Sequence, residues 1–442
     1  MKAPFFVPAV LRTTFARSTA ILTSAAAIQN LMVLAVSPIL SRLFSPEEFG
    51  AVGLLYAIAA LPATASTGHY YLAVMQTRKR RESINIIALA WSCVMLTTVV
   101  AAAIVGIVHF FPHLFGGAGG DLGPLLLLIP LVMLSEGSLA TGRIWDLRQA
   151  DYRSLFRNRL IETGGTIVVQ MGAGLLGAGP LGLACGRLLG VGAASADAAA
   201  VFFRSIGSRG RRVMSVRGIR KAAGRYWRFP AYHTPAELLG ALCRQMPPLL
   251  LAVYFSVEAI GLYWMANRVL ERPVLLFGAD MSRVFLQQVA ERRDRDRGVL
   301  GLFVKVTLLM AALALPPFIV VIIFGPQLFA FVFGAEWQLA GEYARWMAMF
   351  SFAYLFALPT RGMTTVFGLQ RAYAIMEAIR AALGALSIAV AARLTGNDVD
   401  AMAAFSIAQL VVLGVFVVVV FLIVRRLEAA RQRSLDVAEA LP

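Results

Sequence analysis

The sequence predicts an all-α, polytopic membrane protein with twelve transmembrane helices in two similarly built six-helix halves. Three observations carry that expectation: an excess of apolar side chains, twelve apolar runs of spanning length, and a motif that recurs at about half the chain length. Of 442 residues, 59% are hydrophobic and 15% charged, against about 45–50% and about 25% in soluble domains. Mean hydropathy is +0.73. A single soluble core cannot absorb so much apolar side chain, whereas a bilayer takes roughly 20 apolar residues per crossing helix.

Taken in order, the expected span cores are 20–43, 50–75, 84–108, 122–139, 160–176, 181–203, 237–254, 260–285, 299–324, 341–358, 372–394 and 399–424. The first run is longer than the apolar region of a secretory leader (about 7–15 residues), and further spans follow it. It therefore reads as a first transmembrane helix.

The recurring motif is Phe44-Ser45-x-Glu47-x-Phe49-Gly50, which returns as Phe255-Ser256-x-Glu258-x-Ile260-Gly261. Each copy lies between two apolar runs. Each is followed at a similar distance by a basic cluster, Arg78-Lys79-Arg80-Arg81 or Arg292-Arg293 with Arg295 and Arg297. Matched flanks at this offset suggest two related halves. The expected layout is a first six-helix bundle over 1–203, a basic cytoplasmic linker over 204–228, a second bundle over 229–425 and a cytoplasmic tail over 426–442. A pseudo-two-fold would relate the bundles.

Charge placement supports this topology. A net charge of +17 could mean nucleic-acid binding, but the basic residues are sorted along the chain. They cluster at the amino end, after Met75, over 143–159, 204–228 and 283–297, at Arg361 and Arg371, and over 425–433. The alternate segments hold Glu47, Glu48, Asp121, Glu258, Glu336, Asp398 and Asp400 without Lys or Arg. The positive-inside rule demands this sorting, with an even number of spans and both termini cytoplasmic. Anionic membrane lipids are the expected partner of the basic segments, and nucleic acid is not needed.

No outer segment is long enough to be a folded domain. The longest, 325–340, carries Phe329, Phe331, Phe333 and Trp337 and reads as a short interfacial aromatic stretch. Prolines within spans predict kinks or unwound turns. Pro247, Pro248 and Pro273 open the second half and suit a gating hinge there.

Burying a charge in hydrocarbon costs at least about 2.5–3.5 kcal/mol, so ionisable groups at membrane depth are the functional candidates. Arg187, Arg244, Arg268, Arg272 and Lys305 are the leading bases, and a basic wet interior suits an anionic passenger. Glu136, Asp280 and Glu377 are candidates for ion coupling, as is His69, because an ordinary imidazole changes charge near neutral pH. The competing explanation is local neutralisation. Arg268 and Glu271, Asp280 and Arg283, and Glu377 and Arg380 are each three apart on one helical face.

Catalytic signals are weak. His69, His109, His113 and His233 show no metal-ligand spacing, and Cys93, Cys185 and Cys243 lie far apart inside apolar runs. No nucleophile elbow or phosphate-cradling loop appears. A transporter without cofactor or metal is expected rather than an enzyme. Gly172-x-Gly174 and Gly177-x-Gly179 are expected to serve close helix packing and a turn.

Four stretches carry a resemblance. They are Ser41-Arg42-Leu43-Phe44-Ser45-Pro46-Glu47-Glu48-Phe49-Gly50; Trp145-x-x-Arg148-x-x-x-Tyr152; Phe229-Pro230 through Pro235 with Gln245-x-Pro247, Gly261-x-Tyr263 and Arg268-Val269-Leu270-x-x-Pro273; and Phe333-Gly334-x-Glu336-Trp337-x-x-Ala340-Gly341-x-Tyr343-Ala344. In this order the chain resembles the polysaccharide-biosynthesis flippases, the oligosaccharidyl-lipid branch of the multidrug/oligosaccharidyl-lipid/polysaccharide exporter superfamily.

That resemblance implies two bundles about a central cavity, alternating access, and location in a bacterial inner membrane. It implies as substrate a polyprenyl-pyrophosphate-linked oligosaccharide (an O-antigen, capsule or exopolysaccharide repeat unit), with polysaccharide polymerase and chain-length machinery as partners. The five bases above would then draw in the pyrophosphate. One departure stands out: after Thr67-Gly68 the family commonly has Arg-Tyr-Glu, and here it is His69-Tyr70-Tyr71. The alternatives are a multidrug-type cation exporter, which calls for an acidic cavity; a peptidoglycan-precursor flippase, usually of fourteen spans; and a membrane-embedded glycan polymerase or ligase.

Overall fold

The computed structural model describes residues 9–110, 123–294 and 298–439, and no strand occurs among them. In chain order the helices are α1 (Ala9–Leu43), α2 (Pro46–Ala65), α3 (Arg80–Phe110), α4 (Gly123–Leu126), α5 (Ile129–Arg148), α6 (Tyr152–Leu175) and α7 (Gly179–Val213). They continue with α8 (Val216–Arg225), α9 (Thr234–Tyr254), α10 (Val257–Asp294), α11 (Leu300–Phe333), α12 (Gln338–Val366), α13 (Gln370–Thr395) and α14 (Asp398–Glu439). Setting aside the short α4 and α8, twelve long helices remain among the described residues, in the expected order.

Nine stretches among the described residues are long and apolar enough to cross a membrane. Helices α6, α10 and α12 fall short of that hydropathy because each carries several charged residues, among them Arg157 and Glu162, Arg268 and Arg272, and Glu342 and Arg345. Large apolar side chains are exposed along the helices, for example Leu96 and Val99 on α3, Leu313 on α11 and Val415 on α14. Extensive apolar surface of this kind is stable against lipid rather than water. The chain is a multi-pass membrane protein.

Two compact units divide it, Met1–Gln245 and Met246–Pro442. In the first, α6 and α7 meet along a seam of small residues. A Cβ added at Gly186 would collide with Gln170, and one at Gly190 with Thr166 and the Glu162 backbone. Close approach of this kind replaces hydrophobic attraction as the cohesive force in lipid. Trp145 and Phe202, both fully buried, anchor the core nearby. Gly174 packs tightly on Leu43 and Phe44, while Gly177 and Gly179 turn the chain with φ of 66° and 59°. In the second unit α12 packs against α10, α11 and α14, and Phe285, Phe303, Met363 and Val420 form the core.

The repeated motif proves to be a helix start. Ser45 caps α2: the Glu48 backbone N–H donates to Ser45 Oγ at 3.3 Å, and the Ser45 N–H donates to Glu48 Oε2 at 2.8 Å. Two orphan donors are satisfied reciprocally. In the second copy Ala259 N–H donates to Ser256 Oγ at 3.2 Å at the start of α10. Each copy therefore opens the second long helix of its half.

Three expectations need correction. The second span, placed at 50–75, is helical only to Ala65, because Gly68 and His69 both adopt left-handed backbone (φ 54° and 53°). A 3₁₀ turn, Tyr70–Gln76, follows. The fifth span begins earlier than residue 160, since Asp151 caps the start of α6 by accepting from the Ser154 N–H at 3.0 Å. The stretch 325–340 is not a loop: α11 runs on to Phe333, and Phe329 and Trp337 are fully buried, with Phe331 alone of the four aromatics exposed.

The basic segment 204–228 belongs to the first unit and is mostly helical. Helix α7 continues past a break at Gly207 to Val213, and Ser215 caps α8. Asn85 of α3 accepts from the Ser215 N–H at 3.2 Å, and Glu82 takes Arg225 at 3.0 Å and the Tyr226 hydroxyl at 3.0 Å. A short π-helical turn, Phe229–His233, then leads into α9.

Candidate functional site

Arg187 of α7 sits among three helices of the first unit. Its Nη2 is 3.2 Å from Glu136 Oε1 of α5, and its guanidinium lies 4.4 Å from the centre of the Tyr56 ring of α2. Tyr56 is oriented in turn by donating its hydroxyl to the Ala184 carbonyl at 3.1 Å. The Arg187 and Glu136 side chains keep 43% and 35% of their surface open, so the pair remains reachable. Two residues expected in separate roles, cargo binding and ion coupling, are thus one charge pair. Tyr56 was not foreseen, because a tyrosine within an apolar run has no local signature.

The other cationic candidates divide between the units. Arg244 on α9 belongs to the first, is exposed, and has no carboxylate partner among the described residues. Lys305 belongs to the second, is exposed, and likewise has no such partner among them. It lies in the second turn of α11, where a lysine stem can snorkel toward an interface. Arg268 and Arg272 are one turn apart on α10 and half-buried. Their neighbour Glu271 accepts from Asn267 Nδ2 at 3.3 Å.

Among the acids, Glu377 is held by Arg380 at 2.7 Å, the local pair that the three-residue spacing allowed. Glu377 also lines a recess with Tyr354, Arg361 and Tyr373. The Arg361 guanidinium lies 5.5 Å from the Tyr373 ring centre. The Asp280 side chain lies outside the described residues.

His69 is buried at 6% exposure, at the chain reversal after α2. Its Nδ1 is 3.0 Å from Thr234 Oγ1, the first residue of α9, and its ring centre is 5.1 Å from that of His233. These partners are 165 and 164 positions away in sequence, so only the fold brings them together. No cluster of three or more metal-ligating side chains occurs among the described residues.

Two further ion pairs connect α5, α6 and α7. Arg143 of α5 pairs with Glu162 of α6 and donates from Nε to Asn158 Oδ1 at 2.8 Å. Arg157 of α6 holds Asp197 of α7 at 2.9 Å. Arg148 donates to the carbonyls of Val74 and Thr77, clasping the 3₁₀ turn to the end of α5.

The fold matches two solved transporter structures over 93% of this chain. One is "Lipid II flippase MurJ, inward closed conformation", with TM-score 0.68, 13% identity and 91% of that chain covered. The other is an inward-facing multidrug resistance MATE family transporter of the MOP superfamily, with TM-score 0.67, 16% identity and 96% of that chain covered. This defines the class: an all-helical, multi-pass protein that shares the fold of those two structures. Residues 39–341 match the family model described as polysaccharide biosynthesis protein, and the chain belongs to that family. No curated protein matches the sequence.

Proposed function

We propose that this protein carries a polyprenyl-pyrophosphate-linked oligosaccharide from the inner to the outer leaflet of the bacterial cytoplasmic membrane by alternating access. Membership of a polysaccharide biosynthesis family supports the substrate class. The observation that carries the reading is the sign of the available charge. Glu136, Asp197 and Glu377 are each engaged by an arginine, whereas Arg244 and Lys305 have no described carboxylate partner.

Such a balance favours a diphosphate over a cationic drug, because those three carboxylates already have a countercharge while Arg244 and Lys305 have no described one. Guanidinium forks fit phosphate oxygens bidentately. In this reading Arg187 and Arg244 of the first unit and Arg268, Arg272 and Lys305 of the second each offer a cationic group for the diphosphate or acidic sugars, and the polyprenyl tail stays in lipid. Both termini face the cytoplasm, the basic segments meet anionic lipids, and polymerase and chain-length machinery consume the delivered units. Transport breaks no covalent bond, so neither cofactor nor catalytic residue is required.

The test is translocation of a fluorescent lipid-linked oligosaccharide in proteoliposomes. Arg244→Ala and Arg268→Ala are each expected to slow it at least about tenfold, the loss of one charge-assisted contact of about 1.5–3 kcal/mol. If both folded variants keep the full rate, those residues leave the site. If the protein moves a cationic dye and no lipid-linked glycan, the substrate class is wrong.

A further inference from the structure

The turn after α2 and the start of α9 meet at a cluster that the proposed cargo site does not use. His69 holds a left-handed backbone conformation (φ 53°) directly after Gly68, itself left-handed. For a residue with a Cβ this conformation is uncommon and persists only where surroundings enforce it. Here the His69 N–H donates to Thr67 Oγ1 at 3.1 Å, and the imidazole Nδ1 lies 3.0 Å from Thr234 Oγ1. Across from it, His233 closes the π-helical turn, a form of helix found often at functional sites. The two rings meet edge to face, 5.1 Å apart at 79°. His69 is buried and His233 exposed.

The charged and titratable surroundings are few. His233 and Glu237 act on His69 from the α9 side. From its own 3₁₀ turn comes Tyr71, with ring centres 5.9 Å apart. Helix α3 offers Cys93, beside Tyr70. Arg148 of α5 is committed to the carbonyls of Val74 and Thr77. Two imidazoles this close cannot both ionise freely, and one nearby carboxylate can balance a single charge.

We propose that His69 and His233 form one proton-binding site at the contact between the turn after α2 and the start of α9. The exposed His233 admits the proton and the buried His69 responds to it. With His233 neutral, His69 rests against the Thr234 hydroxyl. A proton on His233 is balanced by Glu237 and opposes charging of His69, so a second proton strains the contact that fastens α9 to the turn. The site does not depend on what the protein carries.

The chain has four histidines, so histidine-labelled protein in lipid nanodiscs gives a readable NMR titration. His69 should charge at lower pH than an ordinary imidazole, because burial and the neighbouring His233 oppose its charged form. In His233→Gln, the His69 midpoint should rise by about one pH unit or more, the coupling at which protons belong to the pair. His69→Asn keeps a residue that tolerates left-handed backbone and should move the His233 ring resonances without unfolding the turn. Glu237→Gln, which leaves both rings in place, should lower the His69 midpoint. A His69 curve that moves in neither His233→Gln nor Glu237→Gln overturns the proposal.

Discussion

In the first unit the described ion pairs join different helices: Arg143 of α5 to Glu162 of α6, Arg157 of α6 to Asp197 of α7, Arg187 of α7 to Glu136 of α5, and Arg225 of α8 to Glu82 of α3. In the second, the described pairs Arg345–Glu342 and Arg380–Glu377 each join residues three apart on one helix. There, contact with the neighbouring helix comes from uncharged partners. Arg345 Nε donates to the Ile322 carbonyl of α11 at 3.0 Å, and Arg380 Nη1 to Gln409 Oε1 of α14 at 3.4 Å. A carboxylate on another helix constrains the rotation and spacing of both helices, whereas one on the same helix constrains neither. The pairs among α5, α6 and α7 therefore tie those helices into one block, with Arg187 held inside it.

The largest expected effect breaks that block. Arg143→Ala removes the guanidinium paired with Glu162; with 28% and 22% of the two side chains open, the cost stays below that of a fully buried pair, about 1.5–3 kcal/mol for a charge-assisted contact. Glu342→Ala should cost much less, near the roughly 0.2–0.5 kcal/mol of a same-helix pair. Thermal unfolding in detergent compares them directly, and equal drops in Tm would erase the contrast between the units.

Next is the α6–α7 seam. Gly190→Ala forces a methyl into Thr166 and the Glu162 backbone, an overpacking of about 1–3 kcal/mol. Gly414→Ala on α14 meets nothing within 4 Å and should be neutral or stabilising by up to about 1 kcal/mol. A Gly190→Ala protein as stable as Gly414→Ala would mean that the seam is looser than its geometry.

The smallest effect separates the two copies of the motif. Ser45→Ala removes one arm of a reciprocal cap, Ser256→Ala a single bond. Both should cost about 1 kcal/mol, with Ser45→Ala the larger. Matched denaturation curves for the two variants would show that Glu48 adds nothing to its cap.

Local physics made much of the fold legible. Ser45, Glu48 and Ser256 announce helix starts because a cap involves only neighbouring residues. The long apolar runs announce spans because bilayer thickness is counted along the chain. The left-handed pair Gly68-His69 was harder to see, since Tyr70 through Met75 stay apolar enough to extend a hydropathy count past the true helix end. The aromatic residues Phe329 and Trp337 misled for a related reason: composition shows that they are apolar, not whether they face lipid or a packed neighbour.

What the sequence determined by itself was the number and order of the long helices, together with the local pair Glu377–Arg380, all set by interactions a few residues apart. Only the tertiary structure decided that Arg187 meets Glu136 and Tyr56, and that His69 meets Thr234 and His233. The rotation of each helix about its axis chooses such partners. That rotation comes from glycine seams and interlocking side chains on separate helices, which no count along one helix contains.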